Sequence, residues 1–142
     1  MTKSGHTQEQ EYVDDPSILN DEYLLRGLLK EHLPNGVVSS AAFKPSKRTG
    51  PRSHLSVWRE VYCDPQKVLA KELPRSVAFA RLTAEAPRAL QTEVVGVGLV
   101  DGVVLAHARI IRNPDVDPLS ETWLIVAVLL AEACTVAHYR RW

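Results

Sequence analysis

Val94-Val-Gly-Val-Gly-Leu-Val-Asp-Gly-Val-Val-Leu-Ala-His-Ala-Arg-Ile-Ile111 is the stretch whose reading decides the fold. Two runs rich in β-branched residues flank Asp101-Gly102, a pair that supplies the positive φ angles of a type I′ turn. The pattern predicts an antiparallel hairpin of residues 94–100 and 103–111. Gly96-x-Gly98 falls inside the first run with no helix after it, so it is not a dinucleotide fingerprint, and no cofactor is expected.

Upstream of the hairpin, Val77 and Phe79 alternate with small residues over 76–82 and predict a strand. Residues 83–91 read as a short helix weakened by Pro87. Asp64-Pro65 opens a helix through about Leu73, with Asp as N-cap and Pro at the first helical position. Residues 55–62 and 36–43 read as strands, joined by a loop over 44–53 that carries Pro, Gly and four cations. Leu24, Leu25, Leu28 and Leu29 follow Asn20, Asp21 and Glu22 at helical spacing, so a helix is expected from Asn20 to the stop at Pro34-Asn35-Gly36. Downstream, residues 112–119 form a loop and Ser120 caps a helix running to about Tyr139. The order predicts an α+β fold: one domain, a mostly antiparallel sheet with the hairpin at its centre, and helices packed on it.

Composition sets the class. The chain has 142 residues, 45% of them apolar and 24% charged, as in ordinary globular domains. Residues 1–18 are too polar to bury much surface and are expected to form a flexible tail, leaving 19–142 as the domain. Lys plus Arg equal Asp plus Glu at 17 each, so no global field steers the protein to nucleic acid or an anionic membrane. Residues 123–137 are the most membrane-like segment, but Glu132 interrupts them and they fall short of a span of about 20 residues. Cys63 and Cys134 lie far apart without C-x-x-C spacing, and no apolar leader opens the chain. Free thiols in a reducing cytoplasm are expected.

Three short segments hold hydroxyls and histidines that a simple core does not require: Gly36-Val-Val-Ser-Ser-Ala-Ala-Phe43, His54-Leu-Ser-Val57 and Leu105-Ala-His-Ala-Arg109. A serine nucleophile needs a base within reach and an oxyanion hole. Neither Ser39 nor Ser56 has that local setting, and both serve equally well to satisfy backbone groups at strand ends. His107, between Ala106 and Ala108, is a candidate general base or a structural histidine with its ring nitrogens satisfied. Cys134 and His138 are four residues apart on the predicted last helix, but no second pair at ligand spacing completes a metal site, and none is expected. Lys44, Lys47, Arg48 and Arg52, next to His54, could hold a phosphate or form a solvated loop. Trp123 and Trp142 bracket the apolar last helix as candidate docking anchors, unless Leu124, Val128 and Ala131 close the core.

The succession of a Leu-Arg start, Ser39-Ser-Ala-Ala-Phe43, a variable loop, Leu55-Ser-Val57, a central helix and a late His107-Ala108 resembles a family of short bacterial proteins of unknown function. The resemblance covers roughly residues 24–110. It implies a common compact fold and a shared polar site around Ser39, Ser40, Ser56 and His107. In that family the arginine sits in an opening strand, whereas Arg26 falls within the predicted first helix here.

These residues support an interaction or adaptor module acting as an accessory subunit, with a protein as partner through the last helix or the basic loop. Nucleic acid is the second candidate through that loop, and no membrane is expected. The alternative is a small nuclease-like or ADP-ribosyltransferase-like enzyme acting on a nucleotide or RNA, with Arg26, Ser39, Ser40, Ser56 and His107 around one cleft. The transferase pattern calls for a glutamate on a late strand. Residues 103–111 hold none, and Glu93 only just precedes the hairpin.

Overall fold

The computed structural model describes residues 14–44, 54–90, 92–96, 99–100, 103–104, 106–111 and 121–141. The fold is α+β. Strand β4 (Glu93–Gly96) pairs antiparallel with β7 (His107–Ile111), with Val94 opposite Ile110. Beyond them β5 (Leu99–Val100) and β6 (Val103–Val104) pair with Val100 opposite Val103. Asp101 and Gly102 lie outside the described residues, between two strands paired as a hairpin requires. Two residues separate Gly96 from Leu99, but three separate Val104 from Ala108. Strands β5 and β6 form their own two-stranded ribbon.

The main sheet has six antiparallel strands in the order β4-β7-β2-β1-β3-β8, so β4 and β7 lie at one edge and not at the expected centre. The others are β1 (Tyr23–Leu28), β2 (His54–Arg59), β3 (Ala78–Thr83) and β8 (Thr135–Ala137). Strand β1 replaces the helix expected from Asn20. It lies between β2 and β3, so Leu24 and Leu28 are buried on one face and Leu25 on the other. A strand buried on both faces has an apolar run, and its leucines mimic helical spacing. Arg26 therefore stands on the opening strand. The expected strand over 36–43 is instead irregular, with Asn35 and Gly36 at φ of 55° and 77° and tight 3-10 turns at Pro34–Gly36 and Ser40–Phe43. The Ser39 hydroxyl accepts from the Ala41 N–H at 3.2 Å and caps the second turn.

Helix α1 (Pro65–Lys71) starts as its sequence predicts, the Asp64 carboxylate accepting from the N–H groups of Gln66 and Lys67. Arg140 closes the other end, donating to the carbonyls of Leu69, Leu73 and Ser76. Helix α2 (Glu85–Arg88) is short. Helix α3 (Glu121–Ala133) ends well before Tyr139, because Thr135 and Val136 leave it to pair with β3 as the edge strand β8.

Helix α3 and the turn Ser40–Phe43 cover one face of the sheet, burying Trp123, Val126, Ala127 and Leu130 with Phe43, Leu55 and Val57. Of the expected stripe, Leu124 and Val128 thus face outward, and Ala131 alone packs against the core. On the other face α1 packs Val68 and Leu69 onto Leu25 and Phe79. Gly27 makes room for the segment that follows α1: a Cβ there would meet Leu73 Cδ1 at 2.7 Å and Ser76 Oγ at 3.0 Å. Residues 14–18, placed by composition in the tail, are held in the fold. Ile18 is fully buried, the Asp15 N–H donates to the Val94 carbonyl, and Arg88 pairs with Asp14.

Candidate functional site

Alternation along β2 and β7 decides which candidate residues meet. Leu55 and Val57 point into the α3 side, so Ser56 and Trp58 point to the α1 side. There Trp58 stands opposite His107, and Ser56 opposite Arg109. The Trp58 and His107 rings lie 5.1 Å apart at 54°. With Val68, Glu72 and Ala106 they line a cleft of about 540 Å³. Burial, and then the Arg109 charge, lower the His107 pKa, with Glu72 partly opposing. The imidazole is accordingly neutral at neutral pH, able to accept a proton from a bound group. Arg109 Nε is buried with no hydrogen-bond partner among the described residues.

The other residues expected in this cleft lie elsewhere. Ser39 and Ser40 belong to the turn packed beneath α3, on the opposite face of the sheet. Arg26 is on that side too, donating from Nε to the Ala42 carbonyl at 2.9 Å and from Nη1 to the Ser56 carbonyl at 3.0 Å. Burial pulls its pKa down to about 10. Arg26 thus ties the turn to β2 through backbone atoms, and the sheet divides the predicted cleft around Ser39, Ser56 and His107 into two faces. The first-helix expectation concealed this, since only a strand sends Arg26 and Gly27 to opposite sides.

Of the basic cluster, Lys44 is exposed and His54 opens β2, while Lys47, Arg48 and Arg52 lie outside the described residues. Trp123 is 1% exposed, so it anchors the core and is not a docking residue. Trp142 lies outside the described residues. Cys134 and His138 do not share a helix face, because α3 ends at Ala133, before both of them, and β8 lies between them. Among the described residues no three His, Cys, Asp or Glu side chains are grouped to hold a metal ion. Both thiols are held protonated, Cys63 pushed up to about 11 by burial and by Glu60 and Asp64, and Cys134 raised by burial.

A second polar cluster had no local signal in the sequence. Arg81 donates to both Glu60 oxygens and lies 3.5 Å from the Tyr23 ring centroid, and His138 Nε2 is 2.5 Å from Glu60 Oε2. Burial alone would raise the Glu60 pKa, but these hydrogen bonds and charges bring it below its ordinary value. Arg59 forms a two-point pair with Glu22 at 2.6 and 2.7 Å. The partners come from distant parts of the chain, and only the sheet register joins them.

Helix α3 also presents an outer face. Leu124, Ile125, Val128 and Leu129 are 38%, 59%, 46% and 39% exposed. They form two adjacent rows at i and i+4, so the helix is apolar both toward the core and away from it. Among the described residues no helix is long and apolar enough to cross a membrane.

In comparisons with known proteins, no family model, no curated protein and no solved structure matches this chain.

Proposed function

We propose that the protein is a cytoplasmic interaction module, an accessory subunit that docks through the outer face of α3. The observation that carries this reading is the exposed apolar quartet Leu124, Ile125, Val128 and Leu129 on a helix whose opposite face is already packed. Contiguous apolar surface of this kind marks a contact site when it has no structural use of its own.

The occupant favoured is an amphipathic segment of another protein, with apolar residues flanked by Lys or Arg. Helix α3 contains Glu121 and Glu132 and no basic residue. A second α3 would bring acids against acids, whereas a basic-flanked segment meets them with opposite charge. Thirteen residues make a helix about 20 Å long. A ridge of four side chains on it contributes less than the standard interface of about 1,600 Å², which suits a transient docking contact better than an obligate dimer.

The test is Ile125→Glu in the full chain. We expect an unchanged melting temperature, a monomer mass by sedimentation before and after substitution, and loss of a partner that the parent protein binds reciprocally in purified form. Parent protein that sediments as a dimer, with Ile125→Glu restoring the monomer, would overturn the heterologous reading. So would a partner that binds both proteins equally.

A further inference from the structure

The cleft between α1 and the β2–β7 strands has a chemistry that docking through α3 does not use. We propose that it binds a small primary amine carried on an apolar or aromatic body. Its volume, about 540 Å³, falls in the range of small-molecule sites, roughly 300–1,000 Å³.

The two sides of the cleft differ in kind. The sheet supplies an aromatic floor, with the half-buried Trp58 and His107 rings 5.1 Å apart and Ala106 beside them. Helix α1 supplies a wall of Val68 and, four residues on at the helix C-cap, Glu72. Residues at this spacing stand on one helix face, about 6 Å apart along the axis. Val68 is 8% exposed, whereas Glu72 is exposed and forms no salt bridge among the described residues. A ligand lying along this wall therefore meets apolar surface at one end and an unpaired carboxylate at the other.

Charge then selects the ligand class. Among the described residues neither Lys nor Arg lines the cleft. Arg109 is not one of the lining groups, and its Nε is sealed from solvent. Burial and the Arg109 charge keep His107 neutral, so the imidazole adds aromatic surface without supplying a cation for Glu72. An ammonium at the Glu72 end gains a charge-assisted hydrogen bond, while its body rests on Val68 and the aromatic floor. An anion, a nucleotide included, would be repelled by Glu72 and find no basic side chain on the lining. An uncharged body over the wall would take water from the Glu72 carboxylate and return no cation.

The test uses probes of one shape: phenethylamine, 2-phenylethanol with a hydroxyl in place of the ammonium, and 3-phenylpropanoate with a carboxylate there. Methylamine supplies the ammonium without the body. Binding is read from the Trp58 indole N–H resonance, assigned with Trp58→Phe. We expect phenethylamine to shift that resonance to saturation, with the hydroxyl and carboxylate analogues at least about tenfold weaker and methylamine without effect. Glu72→Gln should bring phenethylamine down to the affinity of 2-phenylethanol, with an unchanged melting temperature because the Glu72 side chain is exposed and outside the salt bridges. Equal or tighter binding of 2-phenylethanol, 3-phenylpropanoate or methylamine overturns the proposal. So does phenethylamine binding that Glu72→Gln leaves undiminished. An unmoved Trp58 resonance with phenethylamine, tryptamine and isopentylamine alike, up to about 10 mM, overturns it as well. None of these outcomes touches α3, so docking through that helix stands or falls separately.

Discussion

Leu129 and Leu130 are adjacent in sequence, identical in chemistry and opposite in environment, so replacing each by alanine isolates the two faces of α3. Leu130 is fully buried among Trp123, Ala127 and the sheet, whereas Leu129 is 39% exposed. Leu130→Ala removes a side chain from a closed core and leaves a cavity, which costs about 2–5 kcal/mol. Full burial of a leucine is worth about 1.5–3 kcal/mol, and Leu129 realises only part of it with no closed cavity to leave. Alanine is also the better helix former, so Leu129→Ala should cost about 1 kcal/mol or less. At roughly 4 °C per kcal/mol for a domain of this size, Leu130→Ala should lower the melting temperature by about 8–20 °C and Leu129→Ala by about 4 °C or less. Thermal melts and urea titrations of the full chain measure both. Losses of equal size, or a larger loss from Leu129→Ala, would refute the division of α3 into a packed and an open face.

Gly27→Ala should destabilise the protein by about 1–3 kcal/mol, since the new Cβ overlaps Leu73 and crowds Ser76; a neutral urea midpoint would contradict the close approach to β1 of the segment that follows α1. Arg140→Met should cost about 2–3 kcal/mol by uncapping the carbonyls of Leu69, Leu73 and Ser76, with hydrogen exchange accelerating first in α1. His32 Nδ1 accepts the Leu29 N–H, and burial, followed by the Arg26 charge, depresses its pKa below 6.5. The unfolded chain therefore takes up this proton first, and stability falls as pH drops below 6.5. His32→Asn should flatten that part of the profile in denaturant titrations. Glu60 has a folded pKa below its ordinary 4.5, so its contribution is present above that pH and lost as acid protonates it. Glu60→Gln should lower stability at neutral pH and flatten the acid limb.

Local chemistry in this chain was readable where one or two residues settle the backbone. Asp64-Pro65 specified the start of α1, and the β-branched runs around Asp101-Gly102 specified the pairing of β4 with β7 and of β5 with β6. It misled where burial on two faces erases alternation. Leu24, Leu25 and Leu28 fit a helix until β2 and β3 are placed on either side, and the misreading hid the separation of Arg26 from Ser56 and His107. The end of α3 failed for a related reason: apolar residues continue through Cys134 and Val136 although the chain changes from helix to edge strand between Ala133 and Thr135. Ser56, His107 and the cleft that His107 lines were half legible. Their residue types stood out, but the meeting of Trp58 with His107 and of Ser56 with Arg109 depends on strand register across distant segments. Glu60, Arg81 and His138 gave no sign at all, because an ion-pair cluster drawn from distant segments leaves no spacing to find.

The central claim is that the outer face of α3 receives a partner, and site-specific photocrosslinking in cells of the source organism tests it most directly. A photoreactive side chain is placed in turn at Ile125, at Leu129 and, as a control on the exposed surface of α1, at Lys71. Adducts to one and the same protein from positions 125 and 129, absent from position 71 and suppressed by Val128→Glu, are the result this account predicts. No adduct from either α3 position, or an adduct only between two copies of the chain, would contradict it.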